Sequence, residues 1–159
     1  MATISVSIIE SLTTGSIGRL SLGVMRHQVG LILGEPSDTA ILDPASNQSI
    51  WKYGNVEFHF NKNLLTLIHA DTDDLFYGGQ SLVIEPDGFS AGMAPDDAKQ
   101  LLESSEVRYT TTEGANSPEM EIALESGFRF GFVLDADAGI GETGPVSYTH
   151  LTLPTICSV

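Results

Sequence analysis

A chain of 159 residues with 42% hydrophobic content suits one domain, or two small halves around a shared core, with no need of staples. Seven Lys plus Arg against twenty-one Asp plus Glu give a net charge of −14, which repels nucleic-acid phosphates and anionic membranes and leaves basic partners open. The single cysteine, Cys157, excludes an internal disulfide and a Cys-based zinc cluster, no apolar run reaches the ~20 residues of a membrane span, and Met1 to Leu12 lacks a basic n-region, so a cytoplasmic protein is expected.

Near the N-terminus, "ISVSIIESL" fits two periods. Ile4, Val6 and Ile8 alternate as in a strand, whereas Ile4, Ile8, Ile9 and Leu12 share one helical face. The helix is the favoured reading, occupying residues 1–15 and ended by "TTGSIG". The next stretch, "LGVMRHQVGLILGEP", places Val29, Ile32 and Leu33 at i, i+3, i+4, with Gly34 as a C′ stop and Pro36 beyond it. A helix from Met25 to Leu33 follows, with Arg26 and His27 on its exposed face.

Three strands come next, Ile50–Tyr53, Val56–Phe60 and Leu64–Ile68, separated by the turn formers "GN" and "NKN". The segment "SIWKYGNVEFHF" crowds a tryptophan, a tyrosine, two phenylalanines and a histidine into twelve positions. Trp51 and Tyr53 share one parity, Val56, Phe58 and Phe60 another, and Lys52, Glu57 and His59 fall between them. A hairpin with one apolar face accounts for these aromatics as core, with His59 facing solvent rather than acting as a catalyst.

The connection "HADTDDLFYGGQSLVIEPDGF" contains a possible short strand, Ser81–Ile84. After it, "SAGMAPDDAKQLLESS" has Pro95 at N1, Asp96 and Asp97 at the positive end of the helix dipole, and Ala98, Leu101 and Leu102 at helical spacing. Strands Val107–Thr111, Met120–Leu124 and Phe128–Leu134 follow, with "TEGANSPE" and "ESG" between them. Laid over the first helix, Ala98 meets Val29, Leu101 meets Ile32, and Leu102 meets Leu33. The sequence therefore predicts an α+β fold: an N-terminal helix (1–15), a first unit of short helix plus three-stranded antiparallel meander with its linker (16–87), and a second such unit (88–144), the two sharing one core.

The last fifteen residues, "PVSYTHLTLPTICSV", carry no charged side chain, although all twenty-eight charged positions lie at or before Glu142. Within them Val146 to Thr155, "VSYTHLTLPT", resembles a translated adaptor used in preparing DNA sequencing libraries. Residues 145–159 are accordingly expected to be a non-native tail, with the natural chain running on past Gly144 into other residues, and His150 and Cys157 are given no role. The competing reading is a genuine strand, since Val, Tyr, Thr and Leu favour extended backbone.

"SIGRLSLGVMRHQVGLILGEP" followed by "IWKYGNVEFHF" resembles a group of small bacterial proteins of unassigned function, marked by Leu-Gly, a short helix, Leu-Gly-x-Pro and a later Trp-x-Tyr-Gly. Met25 stands where that pattern has a Ser or Thr N-cap. A tandem of helix plus meander is also similar in architecture to beta-lactamase inhibitor protein and to small outer-membrane assembly lipoproteins, without the disulfides of the first or the lipobox of the second.

The spacings that would carry chemistry are weak. Glycines 15, 18 and 23 match neither phosphate-binding pattern, no Ser lies in G-x-S-x-G, and "DADAGIGE" fails the calcium-loop spacing at its fifth and twelfth positions. No catalytic, cofactor or metal residue is assigned, and no cofactor is expected. The candidate partner-binding residues are Asp71, Asp73, Asp74, Phe76 and Tyr77, an aromatic pair ringed by carboxylates and followed by Gly78-Gly79. The simpler reading has both rings tucked under the loop. The leading functional expectation is a non-enzymatic binding protein, immunity- or antitoxin-like, holding a basic protein. The alternative is a small metal-binding module or enzyme centred on His69, Asp71, Asp73 and Asp74.

Overall fold

Alternating apolar positions punctuated by Gly and Asn turns build most of this chain, and they assemble into an α+β fold of three helices and two sheets among the described residues. The computed structural model describes residues 3–71, 77–90, 93–113, 119–133 and 150–152.

The ambiguous N-terminal stretch uses both of its periods in turn. Strand β1 (Ile4–Ser7) is followed directly by helix α1 (Ile8–Thr14), so the expected continuous helix is corrected over its first part. Ser7 marks the change, because its Oγ accepts from the Glu10 N–H at 3.0 Å and caps the helix. Asp87 adds a carboxylate that accepts from the Ile9 N–H at 3.1 Å and from Ser7 Oγ. Gly15 ends α1 in the left-handed conformation, φ +74°, with its N–H donating to Ser11 O at 2.9 Å.

Helix α2 (Arg26–Leu33) begins at Met25, which has no capping oxygen. Gln28 compensates from the third helical position, its Oε1 accepting from the Met25 N–H at 3.0 Å. Strand β2 (Asp38–Asp43), not expected from the sequence, precedes the expected meander of β3 (Gln48–Tyr53), β4 (Val56–Asn61) and β5 (Leu64–Asp71). A two-residue β6 (Tyr77–Gly78) and β7 (Leu82–Glu85) follow, and β7 pairs in parallel with β1 in register Ile4↔Leu82 through Ser7↔Glu85. The second helix and meander are α3 (Pro95–Ser104), β8 (Tyr109–Glu113), β9 (Glu119–Leu124) and β10 (Arg129–Val133). Last comes β11 (His150–Thr152).

The larger sheet runs β2-β3-β4-β5-β11-β10-β9-β8, and the smaller runs β1-β7-β6. Residues of the segment expected to be a foreign tail thus stand between the two meanders, with Leu151 opposite both Ala70 and Phe130.

One hydrophobic cluster joins both meanders to the helices. Val29 and Leu33 of α2 and Ala98 and Leu102 of α3, the positions that superpose in sequence, are all buried. Trp51, Phe58 and Ile68 line up across β3, β4 and β5, while Phe130 faces Ile122 and Phe132 faces Met120. Rings meet edge to face at 5.3 Å for Trp51 and Phe60 and 5.5 Å for Tyr53 and Phe58, and Phe89 stacks on Phe130 at 5.6 Å. The aromatic cluster of the first hairpin is therefore core.

Candidate functional site

The candidate loop is only partly described. Asp71 ends β5, its backbone opposite His150, whereas Asp73, Asp74 and Phe76 lie outside the described residues. Tyr77 is described, and it corrects the expectation that the ring is tucked away: it opens β6 with 58% of its surface exposed.

Two glycines determine where Tyr77 stands. Gly54, in the turn between β3 and β4, has φ +59°, and a Cβ there would lie 2.0 Å from Tyr77 O and 2.5 Å from Gly79 N. Only a residue without a side chain lets the two backbones approach so closely. The Asn55 N–H then donates to Tyr77 O at 2.6 Å, and Gly79, at φ +70°, turns the chain toward β7. The contact borders a shallow cleft of about 330 Å³ lined by Glu35, Ser37, Tyr53, Tyr77 and the segment from Gly78 to Ser81.

The cleft wall is tied down by hydrogen bonds. Tyr53 Oη donates to Gly34 O at 2.7 Å, and burial, then the charge of Glu35, raises the phenol well above its ordinary pKa. Tyr53 is accordingly a neutral donor at any physiological pH. Ser37 Oγ donates to Lys52 O at 2.8 Å and accepts from the Gly54 N–H at 3.3 Å. The cleft presents to a ligand the exposed Glu35 carboxylate and the Tyr77 ring with its hydroxyl. A carboxylate beside an exposed aromatic face suits a cationic side chain, through ion pairing and cation–π attraction.

The open face of the larger sheet carries a cross-strand network that the pattern along the chain does not reveal. Lys52 stands opposite Glu57, and Glu57 stands opposite His69. Glu57 Oε1 lies 3.4 Å from Lys52 Nζ, and its Oε2 lies 3.1 Å from His59 Nε2. His59 faces this side, as its parity predicts, but it is half-buried rather than fully solvated. Burial lowers its pKa, the Glu57 hydrogen bond and charge oppose that, and His69 reinforces it. The ring is therefore neutral near pH 7 and donates to Glu57. Further along the face, Arg129 Nη1 pairs with Glu121 Oε1 at 2.9 Å. Acid and base are thus interleaved on this face. The signal that would have revealed it is the alternation Lys52, Glu57, His59, His69 read across strands rather than along them.

Arg26 also departs from expectation. Its guanidinium stands 5.8 Å over the Trp51 ring, and Nη1 donates to Ser49 Oγ at 3.1 Å, instead of projecting into water. Among the described residues no three His, Cys, Asp or Glu side chains form a group able to hold a metal ion, and no helix is long and apolar enough to cross a membrane. Comparison with known proteins finds no match to a family model, a curated protein or a solved structure.

Proposed function

We propose that this chain is a non-enzymatic binding protein whose partner is a basic protein, with an immunity- or antitoxin-like role as the narrower form of that reading. The observation that carries it is the exposed Tyr77 side chain, on a backbone fixed by the Gly54 contact, lining a cleft that also presents Glu35. An anchored aromatic at a site of opposite charge is the usual make-up of an interface hot spot, since a ring contributes large contact area at small entropic cost. The net charge of −14 supports the same partner, because it steers cationic surfaces toward the chain and slows the approach of anionic ones. Asp71, Asp73, Asp74 and Phe76, close to Tyr77 in sequence, are proposed to extend the contact.

Capture from a lysate of the source organism tests the reading, using the full chain beside Tyr77→Ala and Glu35→Gln. A basic protein retained by the wild type and lost from both variants, at unchanged melting temperature, is expected. Retention of the same protein by Tyr77→Ala would remove the cleft from the interface. Metal-dependent turnover abolished by changing His69 or Asp71 would replace binding with catalysis.

A further inference from the structure

The two ends of the larger sheet are not alike. Strand β8 closes one end with Thr110, Thr111 and Thr112, and the Tyr109 hydroxyl there is tied to Glu103 of α3 at 2.7 Å. Strand β2 closes the other with Ala40, Ile41 and Leu42, where Ile41 is 74% and Leu42 59% exposed. Two large apolar side chains on this edge are thus uncovered. Helix α2 covers the neighbouring strand only as far as Trp51, against which Gly30 and Arg26 pack.

An edge strand presents unpaired backbone donors and acceptors, and proteins usually guard such edges with Lys, Pro or a bulge. β2 does have an irregularity of register between Ile41 and Asp43. Its centre, however, carries two large apolar residues where a guard would place a charge. The charges stand at the ends instead, as Asp38 and Asp43. Asp43 is fixed by Ser46 Oγ at 2.6 Å and the Ala45 N–H at 2.9 Å. Asp38 Oδ1 accepts from the Thr39 N–H at 2.8 Å, so that amide is held by its neighbour's carboxylate.

We infer that β2 is a strand-accepting edge that takes an extended segment of a basic partner, antiparallel, with small apolar residues at its centre and Lys or Arg at its two ends. The charges select the occupant. A second copy of this edge would bring a further charge of −14 against it. A basic-ended strand meets a carboxylate at each end, and a cation drawn to Asp38 pulls its oxygen away from Thr39 and frees that amide for pairing. The inference rests on the proposed binding of a basic partner, but its site is the outer edge of β2, which begins next to Ser37 of the Tyr77 cleft and runs on from it.

The test uses two synthetic peptides, Lys-Thr-Val-Thr-Val-Lys and Glu-Thr-Val-Thr-Val-Glu, capped at both termini and titrated into the isotope-labelled full chain. The lysine-ended peptide is expected to shift and protect the Thr39 and Ile41 amides and to bind roughly 10-fold more tightly than the glutamate-ended one at low salt. Asp38→Asn should narrow that ratio, and Thr39→Pro, which removes the amide that Asp38 Oδ1 holds, should abolish binding without lowering the melting temperature. Equal affinity for the two peptides, or shifts confined to the residues around Tyr77, would overturn the inference and leave β2 as a guarded edge. Peptide failure with the basic partner still captured sinks this inference alone, and pairing of the peptide without any basic partner sinks the functional reading alone.

Discussion

Replacing Phe58 by Ala removes a fully buried ring from the middle strand of the first meander. That ring has Trp51 opposite it on β3, Ile68 opposite it on β5, and Tyr53 in an edge-to-face pair with it at 5.5 Å. Backbone pairing on both sides limits how far the strands can collapse into the space left behind. The cost is therefore expected in the range of about 3–5 kcal/mol typical of Phe→Ala in a core, a large share of a total stability of about 5–15 kcal/mol. At ~2–4 °C per kcal/mol for a chain of this size, the melting temperature should fall by about 6–20 °C. Urea unfolding followed by circular dichroism gives the free energy directly, and an unchanged slope with denaturant confirms that the loss is one of stability. Leu42→Ala, on the uncovered edge strand, is the matched control and should stay within about 0.5 kcal/mol. A cost below about 1 kcal/mol for Phe58→Ala, or a larger one for Leu42→Ala, would refute the assignment of faces on which the core reading depends.

The lowered pKa of His59 makes stability pH-dependent. Between its folded pKa and the unfolded value of about 6.5, the unfolded chain binds a proton that the folded chain does not, so stability should fall as pH drops below about 6.5. His59→Gln should remove that component, and a urea midpoint for the wild type that rises on acidification relative to the variant would contradict the sign. Gly54→Ala places a Cβ 2.0 Å from Tyr77 O in a left-handed turn and should cost on the order of 1–3 kcal/mol, with Asn55 and Tyr77 amide resonances displaced; an unperturbed Tyr77 would mean that the turn does not position it. A chain ending at Gly144 should melt as the full chain does, because the roughly 1 kcal/mol net worth of each backbone hydrogen bond made by the three residues of β11 is offset by about 1–2 kcal/mol per residue of ordering cost. A substantial loss would establish β11 as an integral strand.

The legible parts of this fold are those in which burial imposes a period. Phe58 and Phe130 could be placed because their neighbours at i±2 are also large and apolar, and α2 and α3 because Val29, Leu33, Ala98 and Leu102 keep helical spacing. The unforeseen elements lack that signature. β2 is exposed on both faces, so no alternation marks it, and β1 is too short to outcompete the helical pattern that starts within it. Its partner β7 lies some eighty positions away, a distance at which single-sequence patterning is silent. The site divides in the same way. Tyr77 was conspicuous as an aromatic in a polar loop, whereas Glu35 joins it only through folding, and the Glu57 to His59 pair with Lys52 exists only once three strands are in register.

The claim that recognition is electrostatic and centred on Tyr77 is tested most directly by the kinetics of the captured basic partner at low and physiological ionic strength. Screening beyond a Debye length of about 8 Å acts on approach rather than on the packed contact, so the association rate should fall as salt rises while the dissociation rate changes little. Tyr77→Ala should do the opposite, leaving association near the wild-type value and raising dissociation by about 10-fold or more, as loss of an interface anchor does. An association rate indifferent to salt, together with a Tyr77→Ala dissociation rate equal to that of the wild type, would contradict the account.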